Sequence, residues 1–239
     1  PLVIYGASAR AADAATAAEK LIRAGYAKIE ILRGGLDAWR RAGLPLEGSD
    51  PDTQADPQTR VTLLDGAYTV DLDASRIEWM GRNPSSRHHG SLDLSAGDIT
   101  IQNGNITGCF VIDMGSIRNF NLEGDELQPV LLAHLASDDF FFVERFPAAS
   151  FSLTHGRPTA ATSLSSPNYE MAGSLDLRGV TAEQTFLATI TPGAAGEVLA
   201  EAHFDIDRTR WQVIYGSARF FEHLGMHLVF DLITVELRI

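Results

Sequence analysis

At 239 residues, with 45% hydrophobic and 21% charged side chains, the chain has an ordinary globular composition and room for one large domain or two small ones. Its formal charge of −12 is unevenly shared: residues 1–50 carry seven Lys/Arg against six Asp/Glu, and residues 51–239 carry 12 against 25. So acidic a body repels phosphate backbones, which argues against nucleic acid as a partner.

Cys109 is the only cysteine, which excludes an internal disulfide and a multi-cysteine metal site. No run approaches the ~20 apolar residues that span a bilayer, so no stable membrane insertion is expected. The chain opens on Pro1 without a signal-peptide pattern, as a processed product or a fragment would. Compartment, cytoplasmic or periplasmic, is left open.

In chain order, Leu2-Val3-Ile4-Tyr5 bounded by Gly6 predicts a short buried strand. The Ala-rich segment 10–24, with Leu21 and Ile22, predicts a helix that Gly25 stops. Ile29 and Ile31 predict a second strand. Gly34-Gly35 then turns into a short helix holding Leu36 and Trp39, which Gly43 and Pro45 end. Residues 47–58 carry Pro51 and Pro57 and are nearly free of apolar side chains, and residues 47–67 read as an extended linker.

From Tyr68 onward the period becomes two. Tyr169, Met171, Gly173, Leu175 and Leu177 form one face of a strand, and Phe110, Ile112 and Met114 form one face of another. Phe151/Leu153, Phe186/Ala188/Ile190 and Phe204/Ile206 repeat the pattern, while Leu228–Leu237 is apolar on both sides. Only Leu127–Ala136 and Ser217–Leu224 read as helical. About eight strands with one or two short helices predict a mainly β fold, an antiparallel barrel rather than a sandwich, because closure removes the edges. A barrel of that size either fills with side chains or holds one small ligand, and the alternation leaves both open.

Other candidate chemistry is sparse. His88 and His89 are adjacent and, on a strand, face opposite sides. A histidine at a pocket mouth is read as a partner for a quinone or hydroxyl oxygen. His223 and His227 have zinc-like i,i+4 spacing, but Gly225 interrupts a shared helix, and no metal site is expected. Phe140, Phe141 and Phe142 cannot all point inward, so at least one is expected to cover a barrel end. Asp113, Asp138 and Asp139 do not form an acid/base pair pattern, and Asp207–Trp211 reads as a surface salt-bridge turn near a rim. No nucleotide loop, nucleophile elbow or HExxH motif is present.

Residues 1–46, through the text PLVIYGASARAADAATAAEKLIRAGYAKIEILRGGLDAWRRAGLP (1–45), resemble the C-terminal half of a rhodanese (sulfurtransferase) domain. That resemblance implies a cysteine nucleophile directly after the first strand, where Gly6 stands, so the segment is expected to be inactive. Ser8 and Arg10 of the loop are candidates for holding an anion. About 50 residues bury too little surface to fold reliably alone. Either upstream sequence is missing, or the segment packs on the barrel or on another copy, as in a homodimer. The alternative reading is a truncated sulfurtransferase fused to a barrel.

Residues 68–239 resemble the YceI-like family of lipocalin-shaped, polyisoprenoid-binding proteins. The match is carried by YTVDLDASRIEW (68–79), His89-Gly90, FVIDMGSI (110–117), LASDDFFFVERFP (135–147) and GSLDLRGVT (173–181). The resemblance implies an elongated apolar cavity with a more polar mouth. It makes Trp79, Phe110, Ile112, Met114, Phe151, Met171 and Leu175 candidate lining residues, with His89 beside the ligand; each also reads as plain core packing. The expected function is non-catalytic binding or transport of an isoprenoid-type lipid or quinone, with no cofactor required.

Overall fold

A computed structural model describes residues 2–6, 12–47, 62–159 and 166–239. The chain divides into two compact units, residues 1–59 and 60–239.

The first unit alternates strand and helix: β1 (Leu2–Ile4), α1 (Asp13–Arg23), β2 (Ile29–Ile31) and α2 (Gly35–Arg41). β1 and β2 pair in parallel, Leu2 opposite Ile29 and Ile4 opposite Ile31, with α1 as the crossover. Asp13 in the first turn of α1 and Lys20 and Arg23 in the last oppose the helix dipole. Ala14 and Ala18 are buried on its inner face, whereas Leu2, Val3, Ile22 and Ile31 remain exposed.

The second unit is a single antiparallel sheet of β3 (Gly66–Thr69), β4 (Arg76–Arg82), β5 (Arg87–Gln102), β6 (Asn105–Asp113), β7 (Ala148–Pro158), β8 (Tyr169–Leu177), β9 (Val180–Pro192), β10 (Val198–Asp207) and β11 (Leu232–Arg238). β4 to β11 form a ring of eight, closed where β5 pairs with β6. β5 is long enough to pair along one edge with β4 through residues 87–92 and with β3 through 98–101. Bulges interrupt the ladders near Leu94, Ile106 and Leu153, giving the bends that closure needs. The β5–β6 hairpin turns on Asn103-Gly104, both at positive φ, the pair that a two-residue primed turn selects.

The barrel has a floor and a mouth. At the floor Ile101, Ile106, Tyr169 and Ile190 interdigitate, almost fully buried, with Leu63 packed among them. Leu63 therefore belongs to the barrel rather than to the expected linker, as does Asp65, whose carboxylate accepts from the Asn103 amide. Gly66 and Ala67 of the expected linker open β3, and its residues 48–61 lie outside the described residues. At the mouth run two long connections, residues 114–147 with α3 (Leu127–Ala136), and residues 208–231. The bounds of α3 match the expected helix. Ser217–Leu224 is not helical: it is a turn segment between Gly216 and Gly225, both at positive φ.

Candidate functional site

Between floor and mouth the barrel encloses a cavity of about 380 Å³, within the range of small-molecule sites. Its wall follows from strand parity. Ile77 and Trp79 on β4, Leu92 and Leu94 on β5, and Phe110 and Ile112 on β6 all face inward. On the far side the inward residues are Phe151 of β7, Met171 and Leu175 of β8, Phe186 of β9 and Phe204 of β10. Phe186 stacks on Phe204 at 4.2 Å and lies 5.7 Å from Phe151, so an aromatic band crosses the middle of the barrel.

Seven of the expected lining residues, Trp79, Phe110, Ile112, Met114, Phe151, Met171 and Leu175, stand on this wall. Met114 does so from outside β6: that strand ends at Asp113, whose side chain caps a short 3-10 turn beginning at Met114. His89 is off the wall and its expected place is corrected. Its ring packs edge-on to Phe120 at 6.1 Å, and Nδ1 is buried without a hydrogen-bond partner among the described residues. His88 takes the inward position, in phase with Leu92 and Leu94. Phe186 and Phe204 were legible as inward residues of their strands; Phe140, Phe141 and Tyr215 come from the connections and carry no periodic signal.

Phe140 is buried and Phe141 partly so, both over the mouth, while Phe142 adopts positive φ and turns to Phe146. The His134 ring of α3 meets Phe140 and Tyr215 edge-on at 4.9 and 4.7 Å, and its Nε2 lies 3.2 Å from Asp139. His227 contacts the Tyr215 hydroxyl at 3.4 Å, and His223 is exposed beside Glu222. Among the described residues no group of three or more His, Cys, Asp or Glu is arranged to hold a metal. Cys109 is exposed.

The segment Asp207–Trp211 corrects the expected surface turn. Arg208 and Trp211 are fully buried. The Arg208 guanidinium donates to the carbonyls of Val213 (2.6 Å), Val229 (3.0 Å) and Phe230 (3.1 Å), and sits 3.8 Å from Asp231. Burial pushes its pKa down, and the charges of Asp231 and Asp207 oppose that shift. The ion ties the second connection onto the end of β10. Trp211 donates to the Leu175 carbonyl at 2.8 Å.

Residues 118–121 cover the edge of β5 that β6 leaves free. Arg118 and Phe120 amides donate to the carbonyls of Ser91 and His89, both at 2.9 Å. Gly90 permits this approach, because a Cβ there would overlap the Arg118 carbonyl.

In the first unit Gly6 follows β1, and its carbonyl accepts from the Leu36 amide at 3.0 Å. Ser8 and Arg10 lie outside the described residues. No described helix is long and apolar enough to cross a membrane.

The YceI-like domain model matches residues 68–239. BcnA of Burkholderia cenocepacia shares the fold at a TM-score of 0.56 and 17% identity, over 71% of this chain and 97% of that one. A domain from Saccharophagus degradans described as polyisoprenoid-binding and implicated in plant cell wall breakdown aligns at a TM-score of 0.50 and 14% identity, over 73% of this chain and 97% of its own. No curated protein matches the chain. The family match leaves out residues 1–67, so the rhodanese resemblance rests on the sequence text alone.

Proposed function

The chain belongs to the YceI-like domain family, and from that premise we propose that its barrel carries one long apolar molecule, an isoprenoid-type lipid or quinone, without transforming it. The observation that supports this most is the hollow itself: an interior closed by strands, about 380 Å³ in volume and walled almost wholly by aliphatic and aromatic side chains. Burying about ten methylenes there yields roughly 8 kcal/mol before the costs of association, enough for a carrier that must also release its load. The wall supports a binding role because, among the described residues, it is overwhelmingly apolar, with His88, His134, Glu201 and Tyr215 as its few side chains of catalytic type. The domain from Saccharophagus degradans, by its description, binds polyisoprenoids. Solvent extraction of the purified full chain followed by mass spectrometry tests the reading. A stoichiometric apolar molecule is the expected result; protein that is empty as purified and that takes up neither a prenyl alcohol nor a prenyl quinone on titration overturns it.

For residues 1–46 the proposal is a rhodanese-like remnant that serves association. Its support is the exposure of Leu2, Val3 and Ile31 on a sheet of two strands, apolar surface of the kind a second copy covers. Sedimentation of the full chain should show a dimer that Val3→Glu weakens; a monomer at every concentration removes the association role. Sulfur transfer requires at least Gly6→Cys. The new side chain displaces the Asp13 carboxylate, which a Cβ at position 6 would overlap. Thiosulfate:cyanide activity after that single change would restore the sulfurtransferase reading.

A further inference from the structure

We infer that His88 is a fixed hydrogen-bond donor at the cavity mouth and selects a ligand whose neutral head accepts hydrogen bonds, a carbonyl oxygen as in a quinone. This rests on the carrier reading above and goes beyond it by naming the head of the ligand.

Backbone groups have fixed donor and acceptor roles. The His89 amide donates to Asn121 Oδ1 at 3.1 Å, so that atom is the amide oxygen and not the nitrogen. Asn119 is oriented the same way: its Oδ1 accepts from the Leu122 amide at 3.0 Å and its Nδ2 donates to the His89 carbonyl at 3.1 Å. Asn119 Nδ2 also donates to Asn121 Oδ1 at 2.9 Å. With its oxygen so occupied, Asn121 can only turn its Nδ2 toward His88, and the contact is made at 3.2 Å to Nδ1. Nδ1 must accept. The neutral imidazole therefore carries its proton on Nε2.

The assembly is built rather than incidental. Asn119 is 2% exposed, its carbonyl takes a bond from Gln128 of α3 at 2.7 Å, and the whole segment lies against β5 through Gly90. His88 stands on the cavity wall, two positions along β5 from Gly90, which pairs with Trp79. Trp79 Nε1, on the same wall, is a buried donor with no acceptor among the described residues.

Charge then decides between a carbonyl and a phosphate head. Among the described residues, the Arg and Lys side chains on the wall are Arg82 and Arg208. Arg208 is engaged by three carbonyls and Asp231, and Arg82 by Thr234 at 2.5 Å and Asp205 at 3.5 Å. Both lie in a barrel unit whose net charge is strongly negative. A phosphate would enter without a cation to neutralise it, whereas a ketone oxygen needs only an N–H.

Two measurements on the full chain test this. Nitrogen-15 histidine spectra at about pH 8 should show His88 protonated on Nε2, the resonance being assigned by its loss in His88→Gln. Protonation on Nδ1 overturns the inference. Titration of Trp fluorescence with a short-chain prenyl quinone, a hydrocarbon of equal length and a prenyl diphosphate supplies the second readout. His88→Leu should weaken quinone binding about tenfold, one hydrogen bond's worth, and leave the hydrocarbon unchanged. His88→Gln, which keeps an N–H donor, should stay within about threefold of the wild type. Asn121→Asp should move the proton to Nδ1, visible in the spectrum, and lower quinone affinity as His88→Leu does. Equal losses for quinone and hydrocarbon would make His88 a packing residue, and tighter binding of the diphosphate would overturn the neutral head. If the wild type binds none of the three probes, the carrier reading itself fails; if it binds quinone and hydrocarbon and no variant discriminates, only the role of His88 fails.

Discussion

The two ends of the barrel are closed by different means. At the floor, side chains of paired strands meet one another: Ile101, Ile106 and Ile190 are at most 2% exposed, and ladders take up most of the backbone groups nearby, with Asn168 bonding the Ile190 amide and carbonyl and Asp65 the Asn103 amide. At the mouth the closure is made by connections, whose peptide groups have no ladder to join. There the fully buried groups include Arg208, Ser217 and Asn119, all polar. A strand-built end needs mainly matching apolar shapes, with a polar side chain where a ladder stops, while a connection-built end relies on donors placed by side chains. The hollow lies between an end packed like a core and an end clasped by polar bonds.

Breaking the clasp should have the largest effect. Arg208→Met leaves the carbonyls of Val213, Val229 and Phe230 without their donor and Asp231 with Arg219 as its remaining cation. A loss of about 3–5 kcal/mol is expected in urea unfolding, with hydrogen exchange accelerating in residues 213–230 before it does in the floor. A loss below about 1 kcal/mol would mean that the mouth holds without its buried ion.

The floor and the wall should then differ from each other. Ile101→Ala opens a void in a packed cluster and should cost about 2–5 kcal/mol, whereas Leu175→Ala, whose side chain already borders empty space, should cost about 1–2 kcal/mol and enlarge the site. Matching losses at the two positions would show that the hollow is filled in solution.

How much of this the sequence disclosed follows the same division. Strand parity is local, so Phe110, Ile112, Phe151, Met171 and Leu175 were assignable to an inward face. Trp79 was legible through the resemblance of its segment. The cavity was not legible, because alternation is identical in a filled barrel and a hollow one. The resemblance points to His89, whereas the apolar Leu92 and Leu94 at even positions of the same strand point to His88. The connections gave no such signal. Arg208 reads as a surface charge until the carbonyls it serves, up to 22 residues away, are brought beside it. The apparent helix 217–224 has the apolar spacing of a helix, yet Gly216, His223 and Gly225 all sit at positive φ. In the first unit the four elements fall where the punctuation by glycine puts them, since each depends on its own few residues.

Acid should distinguish the two ends by the smallest of these effects. Asp207, at the end of β10, accepts from the Thr209 amide at 3.1 Å, the Thr209 hydroxyl at 2.6 Å and Arg219 at 2.7 Å, so it fastens the start of the second connection. Burial alone would raise its pKa, but the hydrogen bonds from Thr209 and Arg219, together with the Arg219 charge, outweigh burial and hold the carboxyl below its ordinary value of 3.8. A folded-state pKa below the unfolded one means that the stabilisation is complete above the ordinary value and is lost as pH falls through the lowered one. Wild type should therefore exceed Asp207→Asn in stability by about 1 kcal/mol near neutrality, and the difference should shrink only below about pH 4. Exchange rates should rise with it in residues 208–231 while those of Ile101 and Ile190 hold. A difference that instead faded between about pH 5 and 7 would take the dependence away from Asp207.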